Sequence, residues 1–97
     1  MSTAPDLAAV AKTLSSMLPS PEYRVLLFGS RASGKARPLS DWDIGILGPH
    51  PLDGALRQRL RDVLEAWPTL HTFDLVDLAE VQESFRNRAV SGARRLA

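Results

Sequence analysis

The chain contains no cysteine. That excludes a disulfide framework and any thiolate metal centre, and it suits a reducing compartment, so the cytoplasm is the expected location. An apolar run long enough to cross a bilayer is also missing, and Met1 to Leu18 has neither the basic start nor the unbroken apolar stretch of a secretory signal. The sequence therefore reads as soluble, with no membrane partner. Charge of one sign is not in excess: 12 basic residues stand against 11 acidic ones, so the field of the whole molecule gives no reason to expect direct nucleic-acid binding. Internal repeats and low-complexity linkers are absent. The chain is also short. At 97 residues, folding hides only about two-thirds of the surface of the extended chain, which leaves room for one domain, residues 1–97, and none for a separate substrate-holding domain.

What is present is the raw material of a packed globule, with 44% hydrophobic residues. Leu7, Val10, Ala11, Leu14, Met17 and Leu18 recur at helical spacing, with Ser2 or Thr3 able to cap and Pro5 allowed in the first turn. After the break at Ser20-Pro21-Glu22, Tyr23 to Phe28 is a short apolar run suited to a covered strand. Gly29 to Ser40 is a loop region rich in Gly, Ser and basic residues, and Asp41 to Leu47 alternates as a second strand. Beyond the turn Gly48-Pro49-His50-Pro51, the residues Leu52, Leu56, Leu60, Val63, Leu64 and Trp67 mark a second helix, with Trp67 as its terminal core contact. His71 to Val76 reads as a third strand. Asp77-Leu78-Ala79-Glu80 has capping-box spacing, which predicts a last helix starting there with Val81, Phe85, Ala89, Gly92 and Leu96 inward. The order predicts an α/β (α+β) fold, a small mixed sheet with helices packed on it.

The chemistry lies at the ends of these strands. Strand side chains two apart share a face, so Asp41 and Asp43 project together while Trp42, Ile44 and Ile46 point the other way. Two like charges so placed repel, and a divalent cation relieves them. Hard oxygen ligands suit magnesium, which completes its shell with water and phosphate oxygens. Gly29 and Ser30 form the complementary half: glycine admits close backbone approach, and a short helix starting at Ser30-Arg31-Ala32 would aim amides and a hydroxyl at a phosphate. Lys35 and Arg37 can add positive charge. On the third strand Asp74 alternates with Thr72 and Val76 and is expected to sit buried among apolar neighbours, which calls for a partner such as the same metal cluster. Asp77 is its rival, and the N-cap reading accounts for Asp77.

The stretch Leu27-Phe28-Gly29-Ser30-Arg31-Ala32-Ser33-Gly34, followed by Leu39-Ser40-Asp41-Trp42-Asp43-Ile44, resembles the minimal nucleotidyltransferase (MNT) branch of the DNA polymerase beta-type nucleotidyltransferase superfamily. The resemblance implies the family's fold over nearly the whole chain. It implies nucleotide phosphates held at Gly29 and Ser30, with Arg31 and Lys35 beside them, magnesium on Asp41, Asp43 and Asp74, and a catalytic role for all three acids, Asp74 assisting an attacking hydroxyl. Trp42 is bulkier than the aliphatic residue usual between the paired acids. ATP is the expected nucleotide donor, with in-line attack on its α-phosphorus, pyrophosphate leaving and two magnesium ions stabilising the attacking and leaving oxygens. Relatives of this kind commonly pair with an all-helical HEPN RNase toxin and neutralise it, some by attaching AMP, so such a toxin is the expected protein partner and acceptor.

Other readings compete. Gly29-x-x-x-x-Gly34-Lys35 nearly spells a phosphate-binding Walker loop, but residue 36 is Ala and Pro38 interrupts the helix that must follow. A binding module that silences its partner by occlusion, without transfer, is the main alternative, and transfer to a small molecule such as an aminoglycoside is a third. His50, in a Pro-rich turn, and His71, opening a strand, read as surface or edge residues. Finally, Ser84 to Ala97 carries Arg86, Arg88, Arg94 and Arg95 with no acid among them. They are either cations at a helix C-terminus or a basic lip beside a polyphosphate or an acidic partner.

Overall fold

The computed structural model describes residues 4–97. Along them run α1 (Leu7–Met17), β1 (Arg24–Phe28), α2 (Ser30–Ser33), β2 (Trp42–Leu47), α3 (Gly54–Glu65), β3 (Phe73–Asp77), α4 (Glu83–Ser91) and β4 (Arg94–Arg95). The strands form one mixed sheet in the order β3-β2-β1-β4. Strand β1 is antiparallel to β2 and β4, whereas β2 and β3 are parallel and are joined by α3 as a crossover. This is the mixed α/β architecture that the sequence predicts.

The two-residue period of the strands sorts their side chains into two unequal layers. On one face Val25, Leu27, Ile44, Ile46 and Leu75 pack beneath Val10 and Leu14 of α1 and Leu56, Leu60 and Leu64 of α3. Most of the fold's apolar burial lies here, at roughly 1.5–3 kcal/mol for each such side chain taken out of water. The opposite face carries a smaller cluster, Leu26, Phe28, Leu78 and Ala89, where α4 lies against the sheet. The remainder of that second face is open, and Asp43 and Asp74 stand on it.

Several local details differ from the sequence-based expectation. Ser2 and Thr3 lie outside the described residues; the cap of α1 is Asp6, whose carboxylate accepts from the Ala9 amide at 3.1 Å, and Pro5 precedes the helix. No helix starts at Asp77. Its carboxylate is buried and accepts from the Leu52 amide at 2.7 Å and the Ala79 amide at 3.1 Å, tying the approach to α3 to the end of β3. Glu80 does not reach back to Asp77 but pairs with Arg57, and α4 begins only after Gln82. A longer connection between β3 and α4 lets Leu78 drop into the second cluster, which a helix starting at residue 78 would prevent. The last helix also ends sooner than expected, at Ser91, because Arg94–Arg95 leave it to pair with Leu27 and Leu26 of β1. Leu96 reaches the main core from that extension, not from a helix.

Candidate functional site

Strand β1 delivers the chain to Gly29, which adopts φ 73° and ψ −155°, a region that essentially only glycine enters. The turn launches α2 at once. The amides of Ser30 and Arg31 belong to the first turn of α2 and so have no acceptor within it. The Ser30 hydroxyl has no partner among the described residues.

Register brings the acids to the same corner. Phe28 pairs with Asp43 across the antiparallel ladder, and Asp43 pairs with Asp74 across the parallel one. Ladder partners share a face, so the Asp43 and Asp74 side chains stand in one row on strands about 4.8 Å apart, beside Gly29. Burial pushes the Asp43 carboxyl above its ordinary value, and the charges of Asp74 and then Asp41 push it the same way. Asp41, just ahead of β2, is the third member of this electrostatic group. Its carboxylate accepts a hydrogen bond from the Thr72 hydroxyl, which turns it toward the start of β3. Asp74 is exposed, against the expectation of an acid enclosed by apolar neighbours; α4 lies along β1 and leaves the face over β3 uncovered.

The loop between α2 and β2 is braced from within. The Arg31 guanidinium donates to the carbonyls of Ser40, at 2.9 and 3.2 Å, and Pro38, at 3.1 Å, and lies over the Trp42 ring with its central carbon 4.4 Å from the centroid. The Arg31 side chain therefore fixes the approach to Asp41, which leaves its amide, in the first turn of α2, as the group it can offer a ligand. Trp42 is buried in the main core, edge-on to His71, and its indole N–H has no partner among the described residues. Lys35 is exposed and its amide closes α2 on the Ser30 carbonyl at 3.1 Å. The His50 carbonyl accepts from the Tyr23 hydroxyl, at 3.3 Å.

The donor set at this corner fits a hard divalent cation: it is all oxygen, and the Asp43 carboxyl is raised by burial and then by the charges of Asp74 and Asp41, which a bound cation would offset. Among the described residues no group of three His, Cys, Asp or Glu side chains is already arranged as a metal cage. Joint coordination by all three acids requires Asp41 to turn from its present Thr72 orientation or to share it. Thr72 is a residue whose contact with Asp41 was not anticipated, although its same-face alternation with Asp74 was the available signal. Two cavities flank the corner. One of about 290 Å³ lies at the β3 edge, with Arg61, His71, Thr72 and Asp74 in its wall. The other, of about 250 Å³, lies between α4 and the glycine turn. No helix among the described residues is long and apolar enough to cross a membrane.

Residues 20–97 match the family model for "Polymerase beta, Nucleotidyltransferase". A curated relative, the probable protein adenylyltransferase MntA of Haemophilus influenzae, is 40% identical over 78 residues, which are 80% of this chain and 68% of that protein. Among solved structures, a toxin–antitoxin pair with AMP-PNP contains a chain that superposes with a TM-score of 0.68 at 27% identity, over 95% of this chain and 73% of that one. A tri-AMPylated Shewanella oneidensis HEPN toxin in complex with MNT antitoxin matches with a TM-score of 0.56 at 23% identity, over 94% and 71%, a likeness of fold alone. With the family model spanning most of the chain and the acid row standing beside the glycine turn, the chain belongs to the polymerase beta nucleotidyltransferase family, on its minimal, MntA-like branch.

Proposed function

We propose that this nucleotidyltransferase moves AMP from ATP to a hydroxyl group of a partner protein, a helical HEPN-type RNase toxin, and thereby acts as its antitoxin. The observation that carries the reading is the in-register pairing of Asp43 with Asp74 on the open face, with the Asp43 carboxylate against Gly29. The relative's description as a protein adenylyltransferase supports the choice of transferred group and acceptor class.

In this reading the amides of Ser30 and Arg31 and the Ser30 hydroxyl hold phosphate oxygens, and Lys35 adds charge at the loop rim. Gly29 supplies the bare backbone against which the phosphates lie. Asp41, Asp43 and Asp74 hold magnesium, which when bound neutralises the negative charge of the triphosphate and of the leaving pyrophosphate. The acceptor oxygen forms its new bond to the α-phosphorus, the bond from that phosphorus to the bridging oxygen breaks, and the acceptor's proton passes to Asp74. Because Asp74 is exposed at the outer strand of the row, a macromolecular hydroxyl can reach it without opening the fold. Localisation in the cytoplasm follows from an intracellular ATP pool and an RNase target.

The test is incubation with labelled ATP, magnesium and the co-expressed partner, with mass analysis of both chains. Adducts of AMP on the partner, lost in Asp41→Asn and Asp43→Asn, support the reading. Full neutralisation of the partner by both variants, with no adduct, favours occlusion instead.

A further inference from the structure

We infer that the cleft between α4 and Gly29 is a second grip on the nucleotide, in which the Arg88 guanidinium takes the β- and γ-phosphates of a nucleoside triphosphate. This rests on the reading of the glycine corner as a nucleotide site. The cleft, about 250 Å³, is bounded by Phe28, Gly29, Phe85, Arg88 and Ala89. One wall is therefore the same glycine whose other flank carries the Asp43 carboxylate, and the cleft opens on the face of the sheet that bears the acids.

The wall opposite Gly29 is built by α4. Phe85 and Arg88 are three residues apart and so lie on one side of the helix, over the small buried Ala89. Phe85 sets the position of this wall by an edge-to-face contact with Phe28, centroids 6.2 Å apart and planes at 86°, while remaining partly exposed at 37%. Arg88 is exposed and has no hydrogen bond or ion pair among the described residues. Other arginines are committed: Arg86 donates to the Leu78 carbonyl at 2.6 Å and the Val81 carbonyl at 3.1 Å, Arg31 braces its loop, and Arg57 pairs with Glu80. Arg94 and Arg95 are also exposed, but they stand on the β4 ladder and neither lines the cleft. Of the four arginines in the acid-free C-terminal segment, Arg88 is the one that shares a cavity with the glycine turn.

A planar guanidinium with its donors unspent matches phosphate oxygens in paired hydrogen bonds. Of the side chains lining the cleft, Phe28, Phe85 and Ala89 are apolar and Arg88 is the one that carries charge, so Arg88 is where phosphate oxygens would be held. With the α-phosphate beside the acids of β2 and β3, the cleft on the far side of Gly29 is open to the phosphates that follow it. Arg88 then favours departure of pyrophosphate by stabilising the charge that grows on it.

The test compares the parent protein with Arg88→Ala and Arg88→Lys, by calorimetric titration with ATP and with AMP in the presence of magnesium. Arg88→Ala is expected to bind ATP about tenfold or more weakly, the loss of one charge-assisted contact, and AMP within about twofold of the parent. Arg88→Lys should fall between, and thermal unfolding of both variants should match the parent because the side chain is exposed and unpaired. If the parent binds ATP and Arg88→Ala binds it equally well, or loses ATP and AMP alike, the inference is overturned and the transferase reading stands. If the parent binds no ATP at all, both are overturned.

Discussion

The carboxylate of Asp43 occupies the space that a side chain on residue 29 would need. A Cβ built on Gly29 would overlap a carboxylate oxygen of Asp43, and the backbone there lies at φ 73°, where a side chain is strained in any case. Gly29→Ala is therefore expected to lose about 1–3 kcal/mol of stability from backbone strain and to displace Asp43. Denaturant unfolding reads the first effect. Transfer activity reads the second, and it should fall further than Asp43 displacement alone would suggest, because the phosphate-facing backbone moves too.

Asp43 sets function against stability. Its folded-state pKa is raised by burial and by Asp74 and Asp41, so the folded protein holds the proton more tightly than the unfolded chain. That contribution to stability is fully present below the ordinary aspartate value and is lost as pH rises through the higher folded-state value. With chelator present, the parent should lose thermal stability across that window relative to Asp43→Asn, which should be the more stable protein at neutral pH while inactive in transfer. Parallel melting curves for the two proteins across the window would count against it.

The Thr72 hydroxyl bond to Asp41 orients a proposed ligand from outside the metal shell. Replacing it by Thr72→Val keeps the shape and removes the donor. Outer-shell partners of this type are worth about 10- to 100-fold in metal affinity, so the magnesium concentration for half-maximal transfer should rise by about tenfold or more, with little change in the apparent affinity for the protein acceptor.

Asp77 and Asp74 make a controlled pair, three residues apart on β3 but different in role. The Asp77 carboxylate is buried and satisfies two amides that bind the start of α3 to the end of β3. Asp77→Ala should cost about 2–4 kcal/mol in unfolding experiments, since it leaves both donors without their charged acceptor. Asp74→Asn, exposed and bound to no structural partner among the described residues, should leave the melting temperature near that of the parent and abolish transfer.

Much of this was legible in the chain itself. Apolar positions at Val25, Leu27, Ile44 and Ile46 and the glycine after Phe28 define the strands and the turn by period and by backbone freedom, which are local properties. The shared face of Asp41 and Asp43 follows from the two-residue period. What the sequence could not convey was pairing: that Asp43 stands beside Asp74 in a parallel ladder depends on the α3 crossover, and that β4 exists depends on an edge of β1 waiting to be matched. Asp77 misleads for the same reason. Its spacing to Glu80 imitates a helix cap, but the amides it binds include one from Leu52, a distant segment that no local pattern reveals. The exposure of Asp74 was hidden likewise, because it depends on where α4 comes to rest.

The division of the sheet into a crowded face and an open one gives adjacent residues of β2 separate obligations: Ile44 answers to the helices beneath it, Asp43 to the solvent side. Laboratory evolution could exploit that separation. A library of apolar replacements confined to Val25, Leu27, Ile44, Ile46 and Leu75 samples heat tolerance while leaving the reactive row chemically intact, so thermostable variants can be selected first and assayed for turnover afterwards.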